Sequence, residues 1–301
     1  MSFTSDTEDN HPAYVPEWSN IGSNYDMKPA KIKWDWTHHW SDLSQIFKDK
    51  KVPVTWFIRV DDGPIRGKML DLFKDKILGL KDEGDEIGIH IHTFFWNQKL
   101  SKWIQTTDPT VEAKIVHQSL NIFERKLRFS PTSARMGWYT MSNEIMRALE
   151  SNDLLVDSSA IPETSSSGKF GERDNIYNWS RAPNIPYYPS HDDYQSLGNM
   201  KILEIPISIL ETNKSRIFAN LVNRLSGLRS LAKLLPLARR LSLNPHQSFY
   251  ITPWWSSALY SQIIQLYCQK AHTNGIAFLV GAFHACDILD PTTGEKNVIF
   301  E

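Results

Sequence analysis

Cysteine is scarce in this chain: Cys268 and Cys286 are the only two among 301 residues. That number excludes a disulfide scaffold and fits a reducing compartment. Long apolar runs are missing as well. No window reaches the roughly 18 apolar residues of a membrane span, and the start, Met1-Ser2-Phe3-Thr4-Ser5-Asp6, has neither the basic residues nor the apolar stretch of a signal peptide. The expectation is therefore a cytoplasmic protein. Neither sign of charge is in excess: 33 basic against 34 acidic residues leave a net charge of −1, which gives no argument for nucleic acid as a partner. Hydrophobic residues at 41% and charged residues at 22% place the chain among ordinary globular domains. Tryptophan, by contrast, is plentiful, with eleven copies. In Trp34-Asp35-Trp36 and Pro253-Trp254-Trp255 the polar company suits stacking on flat sugar faces, against the competing reading of large-core packing.

Short β-rich runs alternate with helical patterns from end to end, which is the pattern of βα units around a parallel sheet or barrel. Seven strands are expected, at 3–6, 52–60, 86–92, 133–136, 154–157, 202–207 and 276–283. Helices are expected at 41–48, 69–81, 111–127, 142–151 and 256–272, the fourth capped by Ser142. Unbroken alternation favours one closed domain over residues 1–301, with chemistry at the carboxyl ends of the strands. Two segments interrupt the plan. Residues 10–39 are long, aromatic and weakly periodic, and are read as a lid-like insertion over the substrate. Residues 212–245 form a basic amphipathic helical insertion. From Lys214 to Leu241 it holds Lys214, Arg216, Arg224, Arg229, Lys233, Arg239 and Arg240, interleaved with leucines and without a single acid. Such a hairpin either packs on the body with a solvated basic face or makes peripheral contact with an anionic membrane or a lipid-linked substrate.

The densest chemical signal is Gly84-Asp85-Glu86-Ile87-Gly88-Ile89-His90-Ile91-His92. In an extended backbone, side chains at i and i+2 project to one side, so His90 and His92 can share a ligand while Ile89 and Ile91 face the other layer. Neutral imidazoles at this spacing suit zinc; two buried histidines bonded to backbone carbonyls are the alternative. Three further strand ends carry polar groups. Asp6-Thr7-Glu8-Asp9 ends the first strand, with Asp6 and Glu8 on one face if the strand persists. Arg135 ends the fourth, followed by Gly137, which permits a turn whose N–H groups face an oxyanion. His284 closes the last, as a hydrogen-bonded core residue or a catalytic acid.

Taken in order, these groups resemble the polysaccharide deacetylase family, the NodB-like carbohydrate esterases of family 4. Ser5-Asp6-Thr7-Glu8-Asp9 is similar to its first motif, Val52-Pro53-Val54-Thr55-Trp56-Phe57-Ile58 to its second strand, and Gly84 to His90 to its metal-histidine motif. Arg135-Met136-Gly137-Trp138 resembles its arginine motif, Val156-Asp157-Ser158-Ser159 and Leu203-Glu204-Ile205-Pro206 the strands that follow, and Phe283-His284 the late histidine motif. The resemblance implies an α/β fold, a distorted (β/α)7 barrel. It implies a metal-dependent hydrolase that removes an N-acetyl group from an amino sugar of a glycan or of a nucleotide- or lipid-linked precursor. A deformylase or other C–N amide hydrolase on a sugar amine, and a non-catalytic carbohydrate-binding protein on the same barrel, are the alternatives. Asp6 would then be the general base, Arg135 its orienting partner and His284 the general acid, with Glu8, His90 and His92 holding a divalent metal, zinc by preference. The family's usual His-x-x-x-His spacing is not met, since Phe94 stands four residues after His90, and His92 takes that place. Glu8 is favoured over Asp9 by alternation, while His38, His39, Asp61 and Asp62 are substitutes. Asp61-Asp62-Gly63-Pro64 reads as a turn after the second strand, and Asp157 as a brace for Arg135 or His284.

Overall fold

A computed structural model describes residues 2–7, 36–60, 68–97, 102–106, 108–165, 177–211, 246–248, 264–269, 271–272 and 275–284. In chain order the elements are β1 (Ser2–Thr7), α1 (Trp36–Asp49), β2 (Val54–Arg59), α2 (Lys68–Leu72), α3 (Lys74–Asp82), β3 (Glu86–Ile91), β4 (Phe94–Asn97), β5 (Lys102–Gln105), α4 (Pro109–Leu127), β6 (Ser133–Met136), α5 (Asn143–Ser151), β7 (Val156–Asp157), β8 (Leu203–Glu204), β9 (Ile209–Glu211), β10 (His246–Ser248) and β11 (Val280–His284). All seven strands expected from the sequence meet in one parallel sheet of order β11-β1-β2-β3-β6-β7-β8. The sheet curls into a distorted (β/α)7 barrel.

Alternation decides the two faces of this sheet. Phe3, Trp56 and Phe283 all meet the ring of Phe47 on α1, at centroid distances of 5.5, 6.5 and 5.6 Å. Their strand neighbours Thr4, Asp6, Phe57, Arg59 and His284 therefore face the barrel interior. The outer layer is the core. Trp40, Trp56, Ile58, Ile89, Phe123, Ile145 and Leu149 are all buried there under the helices, each burial stabilising by about 1.5–3 kcal/mol. Trp179 is also fully buried and donates its indole N–H to the Tyr139 carbonyl at 2.8 Å. Core packing is thus the role of Trp40, Trp56 and Trp179, and not sugar stacking.

Helix starts follow their caps. The Ser142 hydroxyl accepts from the Ile145 N–H at 3.2 Å, as its place before the amphipathic run predicts, and Asp108 accepts from Thr110 N–H at 2.9 Å to start α4. The single helix expected over 69–81 is instead two, because the backbone turns at Phe73 (φ −120°, ψ 17°), whose ring packs edge-on against Trp40 at 5.4 Å. The expected strand over 276–283 is ordered as strand only from Val280, and that over 202–207 only at Leu203–Glu204. The hairpins β4-β5 and β9-β10 have no counterpart in the expected strands.

The barrel's seam lies between β8 and β11, and a side chain bridges it. Ser208 donates its N–H to Val280 O at 3.1 Å, and its hydroxyl oxygen accepts from Val280 N–H at 2.8 Å. Of the lid-like insertion at 10–39, residues 36–39 are the first turn of α1, a correction to the loop expected there. The rest of it, and all of the basic insertion at 212–245, lie outside the described residues.

Candidate active site

Five inward polar positions, Asp6, Arg59, His90, Arg135 and His284, gather at the carboxyl ends of the strands, with Asp6 level with Phe57 across β1-β2, one inward step before Arg59. Asp6 is in register with His284 across β1-β11, Arg59 with His90 across β2-β3, and His90 with Arg135 across β3-β6. Asp6, Arg59, His90 and Arg135 are each at most 2% exposed. Polar groups buried so completely require partners. Arg135 supplies one: its Nη1 donates to Asp6 Oδ1 at 3.0 Å.

Two further donors of that guanidinium go to one residue. Nε donates to Ser158 O at 2.8 Å and Nη2 to Ser158 Oγ at 3.0 Å, while the Ser158 hydroxyl donates to Ile205 O at 2.9 Å. From below, the guanidinium rests on the Phe57 ring, 4.6 Å from its centroid. Gly88 makes room for that ring, since a Cβ there would stand 2.6 Å from Phe57 Cδ1. Arg135 is thus held in plane by hydrogen bonds and out of plane by an aromatic face, leaving Nη1 aimed at Asp6.

His90 and His92 lie side by side, ring centroids 5.0 Å apart and planes at 82°. β3 itself ends at Ile91, so His92 stands just past the strand. Two imidazoles sharing one tetrahedral zinc place their ring centres about 5 Å apart, so the pair fits two corners of such an ion. Trp138 stands edge-on to His92 at 5.7 Å, and a Cβ on Gly137 would fall 2.2 Å from the imidazole. Gly137 therefore serves His92 by its lack of a side chain. The left-handed backbone of this turn belongs instead to Trp138 (φ 52°) and Tyr139 (φ 56°), two side-chain-bearing residues in a conformation that costs of order 1–3 kcal/mol each.

Among the described residues no three His, Cys, Asp or Glu side chains come together as a complete metal cluster. The expected third ligand, Glu8, lies outside the described residues, as do Asp9, Asp61 and Asp62; His38 and His39 fall in the first turn of α1. The structure brings Asp6, Arg135, His90 and His284 to one end of the barrel and sets His92 beside His90. Sequence reasoning missed Arg59, a fully buried cation in register with His90. Its signal was present, as a charged residue on the inward phase at the end of the apolar strand Val54–Arg59.

Asp157, read from sequence as a brace for Arg135 or His284, faces the other way. It is in register with Ala134, so it lies on the outer face, where it accepts from the Ser159 hydroxyl at 2.8 Å and the Ser159 N–H at 3.2 Å. Toward the strand starts the barrel holds a cavity of about 350 Å³, lined among others by Thr4, Thr55, Phe57, Ser133 and Ser158. Neither histidine of the pair lines it, and Phe57, on which Arg135 stacks, is part of its wall.

Neither a family model nor a curated protein matches the sequence. Solved structures do. A provisionally assigned glycoside hydrolase/deacetylase from Parabacteroides distasonis aligns over 94% of this chain at 14% identity with a TM-score of 0.55. This chain spans 61% of that protein. A provisionally assigned polysaccharide deacetylase from Mycobacterium smegmatis aligns over 94% of this chain and 76% of its own, at 14% identity and a TM-score of 0.46. Puue allantoinase aligns over 97% and 79%, at 12% identity and a TM-score of 0.46. The likeness to the first of these is one of fold, the NodB-like deacetylase barrel.

Proposed function

We propose that this protein is a hydrolase that removes an N-acetyl group from an amino sugar of a glycan or glycan precursor. The observation that carries the reading is the buried Asp6–Arg135 pair at the carboxyl ends of the strands, Arg135 in register with His90 and Asp6 in register with His284. Barrels of this kind carry their chemistry at that end. The glycoside hydrolase/deacetylase named among the structures of like fold supports the choice of reaction class by analogy only.

Amide hydrolysis needs a base for the attacking water, charge stabilisation at the carbonyl oxygen and a proton for the leaving nitrogen. Asp6 is the base. Arg135 holds its Oδ1, so the other oxygen is left to take the proton. His284, on the neighbouring strand and only partly buried, donates a proton to the departing amine. The Gly137-Trp138 turn offers backbone N–H groups to the developing oxyanion. Trp138, half-buried beside His92, presents an aromatic edge to the sugar.

His90 and His92 would hold a divalent metal, with zinc suited to their imidazoles and Glu8 as the third ligand. When bound, such an ion lowers the pKa of water and polarises the amide carbonyl.

The test is acetate release from oligomers of N-acetylglucosamine by zinc-supplemented protein. The reading predicts steady release that is lost, together with bound zinc, in the His90→Ala/His92→Ala double variant. Release that persists in the metal-free double variant would overturn it.

A further inference from the structure

On the outer face of the sheet, behind Arg135, two acids stand in register on adjacent strands: Asp157 on β7 and Glu204 on β8. Both are fully buried. Parallel neighbours this close cannot both be ionised in an apolar layer without a large desolvation and repulsion cost. Their hydrogen bonds divide unequally. Asp157 accepts from both the hydroxyl and the N–H of Ser159, as a carboxylate does. Glu204 accepts through Oε1 from the Ala160 N–H at 3.0 Å, while its Oε2 receives no donor from any described residue. A proton on that oxygen, donated to Asp157, satisfies both acids at once. The electrostatics agree in direction: burial first, then the Asp157 charge and the hydrogen bond to it, hold the Glu204 carboxyl well above its usual range. Asp157 is raised by burial, with the Glu204 and Ser159 hydrogen bonds and the Arg135 charge pulling the other way.

What the pair holds is the segment that holds Arg135. The Ser159 hydroxyl, donating to Asp157, accepts the Met136 N–H at 2.8 Å at the end of β6. Ala160 is tied to Glu204. Between the anchors, Ser158 turns inward and takes two of the donors of Arg135. We infer that Asp157 and Glu204 form an acid–carboxylate pair sharing one proton, and that they act through Ser158 and Ser159 as positioning residues that aim Arg135 at Asp6. The pairing explains how two buried acids are accommodated on a face they share with Trp56, Ile58, Ile89 and Ala134. It rests on the proposed function only for the claim that an aimed Arg135 matters to turnover.

The experiment therefore reads the network directly. In the full chain, the Arg135 Nε–H is followed by NMR hydrogen exchange, and the neutral carboxyl stretch by infrared difference spectroscopy. Glu204→Gln replaces the protonated acid by an amide that can still accept from Ala160 and donate to Asp157. It is expected to lose the carboxylic band while keeping Arg135 exchange within about twofold of the parent. Glu204→Leu and Ser159→Ala should each speed that exchange by about tenfold or more. Ser159→Ala, a small change, covers the event that Glu204→Leu does not fold. The inference is overturned if the band survives Glu204→Gln, if Glu204→Gln speeds exchange as much as Glu204→Leu, or if Ser159→Ala leaves exchange unchanged. Turnover on N-acetylglucosamine oligomers forms a separate arm: Ser159→Ala should lower kcat with KM little changed. A parent protein without turnover would count against the proposed function and leave the exchange and infrared arms standing.

Discussion

Arg135 Nη1 meets Asp6 Oδ1 at 3.0 Å although β2 and β3 lie between their strands in the sheet. In a flat sheet three strand spacings would put β1 and β6 about 14 Å apart, farther than an arginine side chain can span. The curl of the barrel closes that distance, and the ion pair in turn ties the two sides of the curl together. Fold and candidate site thus share one contact.

Replacing Arg135 should be costly for stability. Arg135→Leu leaves Asp6 buried beside an apolar side chain, and breaking a buried pair in this way typically costs about 3–5 kcal/mol. Arg135→Lys keeps the charge but cannot reproduce the planar fork on Ser158 or the stack on Phe57, so it should be intermediate. Urea denaturation of the two variants checks the order; equal stability of Arg135→Leu and the parent would contradict it.

Gly137→Ala should act on the histidine pair and not on the base. The added methyl would occupy the place of the His92 imidazole, so His92 must swing away or the turn must open. The expected outcome is a destabilisation of about 1–3 kcal/mol together with weaker zinc retention, measured by metal content after dialysis against a mild chelator. Zinc retention equal to that of the parent would remove His92 from the ligand set.

Stability should fall with rising pH through the Asp157–Glu204 pair. The folded state keeps on Glu204 a proton that an unfolded glutamate, with its ordinary pKa of 4.5, releases. The unfolded state therefore binds fewer protons above that value, and the pair's contribution declines as pH rises, by up to about 1.4 kcal/mol per pH unit for one proton. Glu204→Gln does not titrate. Measured at about pH 5 and about pH 8, the stability of the variant relative to the parent should rise with pH; a constant difference would mean that Glu204 is ionised in the fold.

Ser142→Ala serves as a control on local reasoning. Losing the cap of α5 should cost about 1 kcal/mol, seen as a lower denaturation midpoint. Because α5 lies outside the barrel interior, acetate release at moderate temperature should match that of the parent.

The parallel sheet was legible in the sequence because each strand is a short apolar run bounded by turn residues, and Val54–Arg59 or Glu86–Ile91 need only local information to be recognised. The break at Phe73 was not, since it answers to the Trp40 ring from another helix. Nor was the seam, which depends on Ser208 meeting Val280 some seventy residues on. In the site, His90, Arg135 and His284 stood out as polar groups ending apolar strands, and the resemblance added their order and roles. Arg59 carried the same mark and was passed over, because no recognised motif included it. Asp157 was read as a brace for Arg135 or His284, and Glu204 only as part of a strand. Their pairing is a matter of register between β7 and β8, which neither segment encodes alone.

The measurement that tests the central claim most directly is the turnover of Asp6→Asn on N-acetylglucosamine oligomers, with bound zinc determined on the same samples. Asn keeps the shape of Asp6 and can still accept from Arg135, but it cannot take a proton. Acetate release is predicted to fall by about 10²–10⁴-fold with zinc content unchanged. Release within twofold of the parent, at equal zinc content, would show that Asp6 is not the base.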